Sequence, residues 1–277
     1  MGRLRLEAGM LVAPAVVFLV AAFLVPLGRF LALAFTGDAN TPAPFTELAG
    51  SEVYQRVFLA TLLVAVLVTA ITVLLAYPLA YALCRLKGLW FMLALYGVLF
   101  PLWISTLVRT FSWMLLLEKN GPINRTLVEI GITEKPFALL FNDTAVIIGM
   151  VHVLLPYAVL PLYSAMSRID RRLLLASDGL GASPLATFCR VYLPLSLPGL
   201  IGGAGFVFLF ALGFYITPAI LGGANAITLS MLIAGFVSDR LAWPLAAAAS
   251  LLLLAVVLAL LAVVARLVPL QQGVMVR

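Results

Sequence analysis

Charge is scarce in this sequence. Asp, Glu, Lys and Arg make up 10% of the 277 residues, where a soluble globular domain carries about a quarter. Hydrophobic residues make up 64%, and the mean hydropathy is +1.18. That composition excludes one or two ordinary soluble domains and marks an integral membrane protein. Histidine occurs once, at His152, and cysteine twice, at Cys84 and Cys189, which gives no disulfide framework. No Cys-x-x-Cys, His-Glu-x-x-His or Gly-Lys-Ser/Thr phosphate loop is present. The sequence thus shows no metal cluster, no nucleophile–base set and no nucleotide site of its own, and the chain is not expected to be an enzyme. The net charge of +6 is spread along the flanks of apolar runs, so it calls for no nucleic acid.

What is present is a series of long charge-free runs. About 20 apolar residues cross the hydrocarbon core of a bilayer, and that length predicts six transmembrane helices. They are placed at 10–33, 57–84, 89–117, 144–167, 195–217 and 243–265, in an all-α fold with a single transmembrane domain over 1–277. Val191 to Ser238 runs for 48 residues without a charge, too many for one span. Pro218 and Gly222-Gly223-Ala224-Asn225 break it, and 226–238 is too short to cross. That piece is expected to be re-entrant or cavity-lining, so that 217–231 does not span the membrane and Asn225 faces away from the side of Arg277. At the N-terminus, Ala32-Leu33-Ala34 imitates a signal-peptidase site. The apolar run before it exceeds the 7–15 residues of a signal h-region, so an uncleaved first helix is expected.

Lys and Arg set the orientation. With six spans, one side holds Arg3, Arg5, Arg85, Lys87, Arg168, Arg171, Arg172, Arg190, Arg266 and Arg277, ten cations against the acids Glu7, Asp170 and Asp178. The other side holds five cations against eight acids. The first side is read as cytoplasmic, with both termini inside. Cys84 and Cys189 then lie near the cytoplasmic face, where thiols stay reduced.

Few polar groups fall inside the runs. In "FPLWISTLVRTFSWMLLL" an unbroken helix places Ser105, Arg109 and Ser112 or Trp113 on one face. A charge in a span marks a functional site by default, and Arg109 is a candidate for lining a translocation path. The competing reading has Arg109 snorkelling. A helix that starts near Leu89 brings it about 30 Å along, close to the outer interface. Trp103 and Trp113 are read first as an interfacial belt and otherwise as path residues. His152, in mid-span, is read first as a helix–helix hydrogen bond. In "FLFALGFYITPAILGG", Phe210 and Phe214 share a helical face, with Tyr215 and Pro218 beyond. This pattern fits packing and also fits a gate. No Asp or Glu lies deep in any span. An ion-coupled secondary transporter, which typically places carboxylates beside unwound helices, is kept only as an alternative.

The stretch "LLLASDGLGASPLATFCRVYLPLSLPG", residues 173–199, falls on the side read as cytoplasmic. Ala, Leu and Arg favour a short helix, and the glycines break it or permit close approach. Ser183-Pro184 reads as an N-cap followed by proline in the first turn of a second helix. Ala176, Ser177, Gly179, Gly181 and Ala182 leave a surface of small residues that a partner can approach. The plain alternative is an amphipathic loop at the bilayer surface.

This stretch resembles the EAA loop of binding-protein-dependent ABC importer permeases. The pattern of that loop is Glu-Ala-Ala, then Gly four residues after the second Ala, then Leu-Pro about a dozen further on. Leu175-Ala176-Ser177 takes the triplet, Gly181 the glycine and Leu193-Pro194 the end. Leu175 replaces the Glu and Ser177 the second Ala, while the spacing is intact. "PLWISTLVRTFSWMLLLEKNGPINRTL", "NDTAVIIGMVHVLLPYAVLPLYSAMSRID" and "FYITPAILGG" are similar to the spermidine/putrescine group, the B or H component. The resemblance covers about 90–265, and helices 1 and 2 only in pattern.

The resemblance implies the type I importer architecture and multi-pass residence in a bacterial inner membrane. It also implies partners: a second permease chain, usually different, two cytoplasmic ATPases that bind ATP and Mg, and an external solute-binding protein. No cofactor is expected on this chain. The cytoplasmic loop 168–194 becomes the coupling element, with Leu175, Ala176, Ser177, Asp178, Gly179, Gly181, Ala182 and Ser183 facing the ATPase. Replacing Ser177 by the family's Ala is expected to be nearly silent. The implied solute is small and polar, either a polyamine or, within the same branch, an amino acid, opine or organophosphonate.

Overall fold

The computed structural model describes residues 13–36, 43–223 and 226–267. Asn225 and the terminal Arg3, Arg5, Glu7 and Arg277 lie outside them. Among the described residues the fold is entirely helical. α1 is Ala13–Phe35. It is followed by α2 (Pro44–Gly50), α3 (Glu52–Leu83), α4 (Gly88–Trp103), α5 (Thr106–Leu117), α6 (Pro122–Glu129) and α7 (Asp143–Ser167). Then come α8 (Arg171–Gly179), α9 (Pro184–Leu212, with a π turn at Phe188–Tyr192), α10 (Ile216–Leu221), α11 (Leu229–Ser238) and α12 (Trp243–Leu267). Five of these are long and apolar enough to cross a membrane, and a sixth span results if the bent pair α4 and α5–α6 counts as one.

The chain forms two compact units. One comprises 1–56 and 232–255. Its described part is held by aromatic edges. Phe30 meets Trp243 at 6.4 Å and Tyr54 meets Phe236 at 5.4 Å between ring centres. Arg240 Nη1 donates to the Tyr54 hydroxyl at 2.9 Å.

The other unit comprises 57–231 and 256–277 and is built around α7 and α9. α7 is the most buried of the long helices, with Val146, Met150, Leu154, Ala158, Val159 and Leu162 nearly inaccessible. Asn142 caps its start, its side-chain oxygen accepting from Ala145 N at 2.9 Å. Pro156 and Pro161 sit inside it. α9 approaches closely enough to exclude side chains. A Cβ on Gly199 would lie 2.9 Å from the Pro161 carbonyl oxygen, and one on Gly203 3.0 Å from that of Ala158. Small residues four apart let helix backbones meet in this way in membranes, where packing replaces the hydrophobic drive. In the same unit, Thr61 Oγ1 accepts from Leu229 N at 2.8 Å and fixes the start of α11.

The expected spans agree with the structure at 57–84, 144–167 and 243–265 within a few residues. The helix expected over 89–117 is two helices. Ile104 and Ser105 are extended (ψ 131° and 135°), and the axis bends by 103° there. Pro101, inside the last turn of α4, cannot donate to the helical ladder and weakens its end. The span expected over 195–217 ends at Leu212, and α10 restarts after Gly213. α10 and α11 have six and ten residues. Ten helical residues rise about 15 Å, half of a hydrocarbon core of about 30 Å, so neither crosses by itself. The segment after α5 carries a helix, α6, that periodicity did not indicate. Asn124 pins it by donating to the carbonyls of Glu118 (3.1 Å) and Phe137 (3.0 Å) and accepting from Phe137 N (2.9 Å).

The α7–α9 contact gives a direct test. Gly199→Ala should lower stability in detergent by about 1–3 kcal/mol through overpacking. Gly202→Ala, whose Cβ meets nothing within 4 Å, should be neutral or slightly stabilising. Thermal unfolding of the two variants checks this, and equal losses would contradict it.

Candidate coupling loop and translocation path

The segment between α7 and α9 folds as two short helices joined by a glycine turn. Asp170 caps α8, its Oδ1 accepting from Arg172 N at 2.9 Å. The helix closes with Leu180 N donating to the Ala176 carbonyl (3.1 Å) and Ala182 N to that of Ser177 (3.2 Å). Gly181 has φ +80°, a left-handed conformation that side chains disfavour. Ser183 then caps the start of α9, its Oγ accepting from Ala186 N at 3.3 Å, with Pro184 at the first helical position.

A side-chain clasp ties the two arms together. The hydroxyls of Ser177 and Thr187 lie 2.9 Å apart, and Thr187 Oγ1 lies 3.2 Å from Asp178 Oδ1, to which it donates. Thr187 is buried. Ser177 is therefore a bonded residue of the loop, not a neutral stand-in for alanine, and the expectation that Ser177→Ala is nearly silent is revised. The spacing of one hydroxyl ten residues from another across a turn carried no signal by itself.

The outer surface of the loop is bare. Leu180 is 89% exposed and Leu185 73%, and a Cβ at Gly181 would meet nothing within 4 Å, while Leu175, also exposed, stands at the lip of the cavity on the inner side. The inner side leads into an aromatic cluster. Phe188 and Tyr192 of the π turn pack against Tyr77 and Tyr81 of α3 at 5.1–6.2 Å between ring centres. Tyr77 and Ser196 share a 2.9 Å hydrogen bond.

The candidate path residues divide in the structure. Ser105 is the residue before α5, and Arg109 falls in the first turn after the bend. Arg109 therefore does not stand about 30 Å along one continuous helix. Arg109 is buried, at 7% exposure, whereas Ser105 and Ser112 on its flanks are exposed. Its Nη2 donates to Thr106 Oγ1 at 3.3 Å, while Nε and Nη1 have no protein partner. His152 and Tyr157 of α7 lie within electrostatic range of it.

Trp113 Nε1 donates to His152 Nδ1 at 3.1 Å, which puts the proton of a neutral imidazole on Nε2. This is the helix–helix bond expected of His152. Tyr157 packs on Phe210 at 4.8 Å. Thr110 and Thr217 share a buried 3.0 Å bond that fixes α10 against α5. Trp103 stands 80% exposed at the bend. Phe214 lies beyond the end of α9, so it does not share a helical face with Phe210. Tyr215, half exposed, precedes α10. The structure thus gathers Arg109, Trp113 and Phe210 about α7. It does not gather Trp103, Phe214 and Tyr215 with them.

Residues 76–271 match the family described as the inner membrane component of binding-protein-dependent transport systems. The chain belongs to this family. The matched residues take in the whole loop and every path candidate. The permease is 34% identical over 224 residues to the spermidine/putrescine transport system permease protein PotB of Escherichia coli K12, covering 81% of this chain and 79% of PotB. It is 35% identical over 198 residues to PotB of Haemophilus influenzae, covering 72% and 69%. Its fold is similar to a chain of the bacterial alginate ABC transporter, solved in complex with an alginate-bound periplasmic protein. The TM-score is 0.75 at 19% identity, over 96% of this chain and 94% of that one. The permease is a multi-pass inner membrane subunit of an ABC importer, and its relatives are transport proteins rather than enzymes.

The clasp generates a second test. Ser177→Ala and Thr187→Val should each lower the stability of the loop, and a double-mutant cycle should show about 0.5–1.5 kcal/mol of coupling. Amide exchange at Ala182 and Ala186 reads this out. Strictly additive effects would mean that the clasp contributes nothing.

Proposed function

We propose that this permease imports a small polar solute, a polyamine of the spermidine/putrescine class, as half of a translocation path whose other half is a second, different permease chain. The loop from Asp170 to Thr187 is the coupling element. Two cytoplasmic ATPases, which hold the ATP and Mg, grip its bare outer face, and an external binding protein delivers the solute. The ten-cation side and both termini face the cytoplasm. When nucleotide closes the ATPases, the loops move and the cavity changes the side to which it opens. Solute shifts the populations only through different affinities for the two states.

The observation that carries this reading is the loop: clasped internally, attached to α7 and α9, and left with Leu175, Ala176, Gly179, Gly181 and Ala182 free to be covered. Arg109, Trp113 and Phe210 face the path, and Ser105 lies at the exposed bend beside Arg109.

One observation favours a second reading of the solute. Arg109 is a buried cation whose Nε and Nη1 lack protein partners, and a buried charge is costly unless paired. A solute carrying a carboxylate or phosphonate, such as an amino acid, opine or organophosphonate, would satisfy it, whereas a polyamine would not. Calorimetry of the cognate binding protein against polyamines and these anionic or zwitterionic solutes decides between the two. In either case Arg109→Ala should reduce uptake severalfold with assembly intact. Wild-type uptake would remove Arg109 from the path.

Gly181→Trp tests the coupling role. The substitution combines a disfavoured φ with bulk on the gripped face and leaves every span untouched. It should insert normally and then either lose co-purification with the ATPase or uncouple ATP hydrolysis from uptake. Normal co-purification with normal uptake would make the loop a surface amphipath. The topology is tested separately, in a background with Cys84 and Cys189 replaced. Leu180→Cys should label from the cytoplasmic face and Ile132→Cys from the outside, and labelling of both from one side would rule out the assignment.

A further inference from the structure

We propose that the cavity beneath the coupling loop binds the phosphate headgroup of an acidic phospholipid, with the start of its acyl chains against the apolar wall. The cavity has a volume of about 950 Å³ and lies between the end of α3, the α3–α4 turn, the end of α7 and the inner face of α8. Volumes up to roughly this size are typical of small-molecule sites.

Its polar wall carries Arg85, Lys87 and Arg171, and no Asp or Glu lines it. Among the described residues the ion pair formed is Arg56–Glu52, so none of these three cations has a carboxylate within 4 Å. The described acids on this side are already engaged: Asp170 caps α8 and Asp178 accepts from Thr187. Arg85 is held in place by stacking, its guanidinium carbon 4.1 Å from the centre of the Tyr81 ring. Stacking leaves the N–H edge of a guanidinium available for an oxyanion.

The opposite wall is apolar, with Leu83, Phe91, Met166 and Leu174. Leu83 ends one apolar span and Gly88 begins the next, so the cavity lies at the hydrocarbon boundary, where a headgroup and its first methylenes reside. Basic pockets between helix ends on the cytoplasmic side suit acidic lipid headgroups. Leu175 stands at the lip of the cavity. A carboxylate there would neutralise part of the site, and leucine leaves it cationic. A bound headgroup would bridge the α3–α4 turn to α8 and so tie the coupling loop to the membrane surface.

The inference rests on the cytoplasmic assignment of the loop, which the labelling of Leu180→Cys tests by itself. The test of the site uses the purified importer, taken from nanodiscs of phosphatidylcholine mixed with phosphatidylglycerol, with retained lipid measured by native mass spectrometry. Phosphatidylglycerol should be retained over phosphatidylcholine. Each cation near the surface is worth about fivefold in acidic-lipid affinity. Arg85→Gln, Lys87→Gln and Arg171→Gln should therefore each reduce retention about fivefold, and Leu175→Glu by a similar factor. Arg168→Gln, outside the cavity, should leave it unchanged.

Four results would overturn the proposal. Equal retention of the two lipids, or retention unaffected by the four cavity substitutions, would show that no such site exists. Displacement of phosphatidylglycerol by equimolar inorganic phosphate or glycerol phosphate would make the ligand a free phosphate. A zero-length cross-link from Lys87 to a carboxylate of the ATPase would show that a protein side chain fills the cavity.

Discussion

Everything in the larger unit depends on how closely α9 can lie against α7. At Gly199 and Gly203 the approach is near enough that a single methyl group would meet carbonyl oxygen. Two helices locked backbone to backbone behave as one stiff body, because neither side chain rotamers nor sliding can absorb a displacement. The segment between Ser167 and Pro184 joins these two helices, so both of its own ends are anchored to one rigid pair. A force applied at its exposed tip is not lost in a floppy tether. The Ser177–Thr187–Asp178 clasp serves the same end within the loop, and the aromatic cluster of Phe188 and Tyr192 on Tyr77 and Tyr81 carries the connection on to α3.

The same pair of helices bears the polar groups at membrane depth. His152 bonds Trp113 and Tyr157 packs on Phe210, both from α7. The candidate coupling surface and the candidate path are thus two ends of one structural element. The bend at Ile104–Ser105 turns α5 so that Arg109 faces this element, and the Thr110–Thr217 bond secures α10 beside it. A buried arginine is expensive to keep in a membrane, and its cost is reasonable where the group meets a solute or a partner.

Much of this was legible in the residues. The loop could be read as helix, glycine turn and capped helix because Gly181, Ser183 and Pro184 each have a strong local preference, and local preference survives tertiary context there. The three uninterrupted spans were legible because length and hydropathy are sufficient for an unbroken helix. The bend after Trp103 was not, since Pro101 inside an apolar run is tolerated in many membrane helices. What breaks the chain is the extended backbone at Ile104 and Ser105; serine favours helix starts, but one serine inside an apolar run is a weak signal. The spacing of Phe210 and Phe214 fits one helical face, but the helix stops at Leu212 and separates them. The clasp was hidden for another reason: hydrogen bonds across a turn are set by tertiary geometry, and Ser177 and Thr187 have no sequence periodicity that joins them.

The central claim is that the exposed tip of the clasped loop is where the ATPase takes hold. Placing a photoreactive amino acid at Leu180 in the assembled importer tests it most directly. The account predicts an adduct with the ATPase subunit, and one whose yield changes between the nucleotide-free and ATP-bound states as the loop moves with its partner. An adduct with lipid alone, or none with the ATPase in either state, would contradict it.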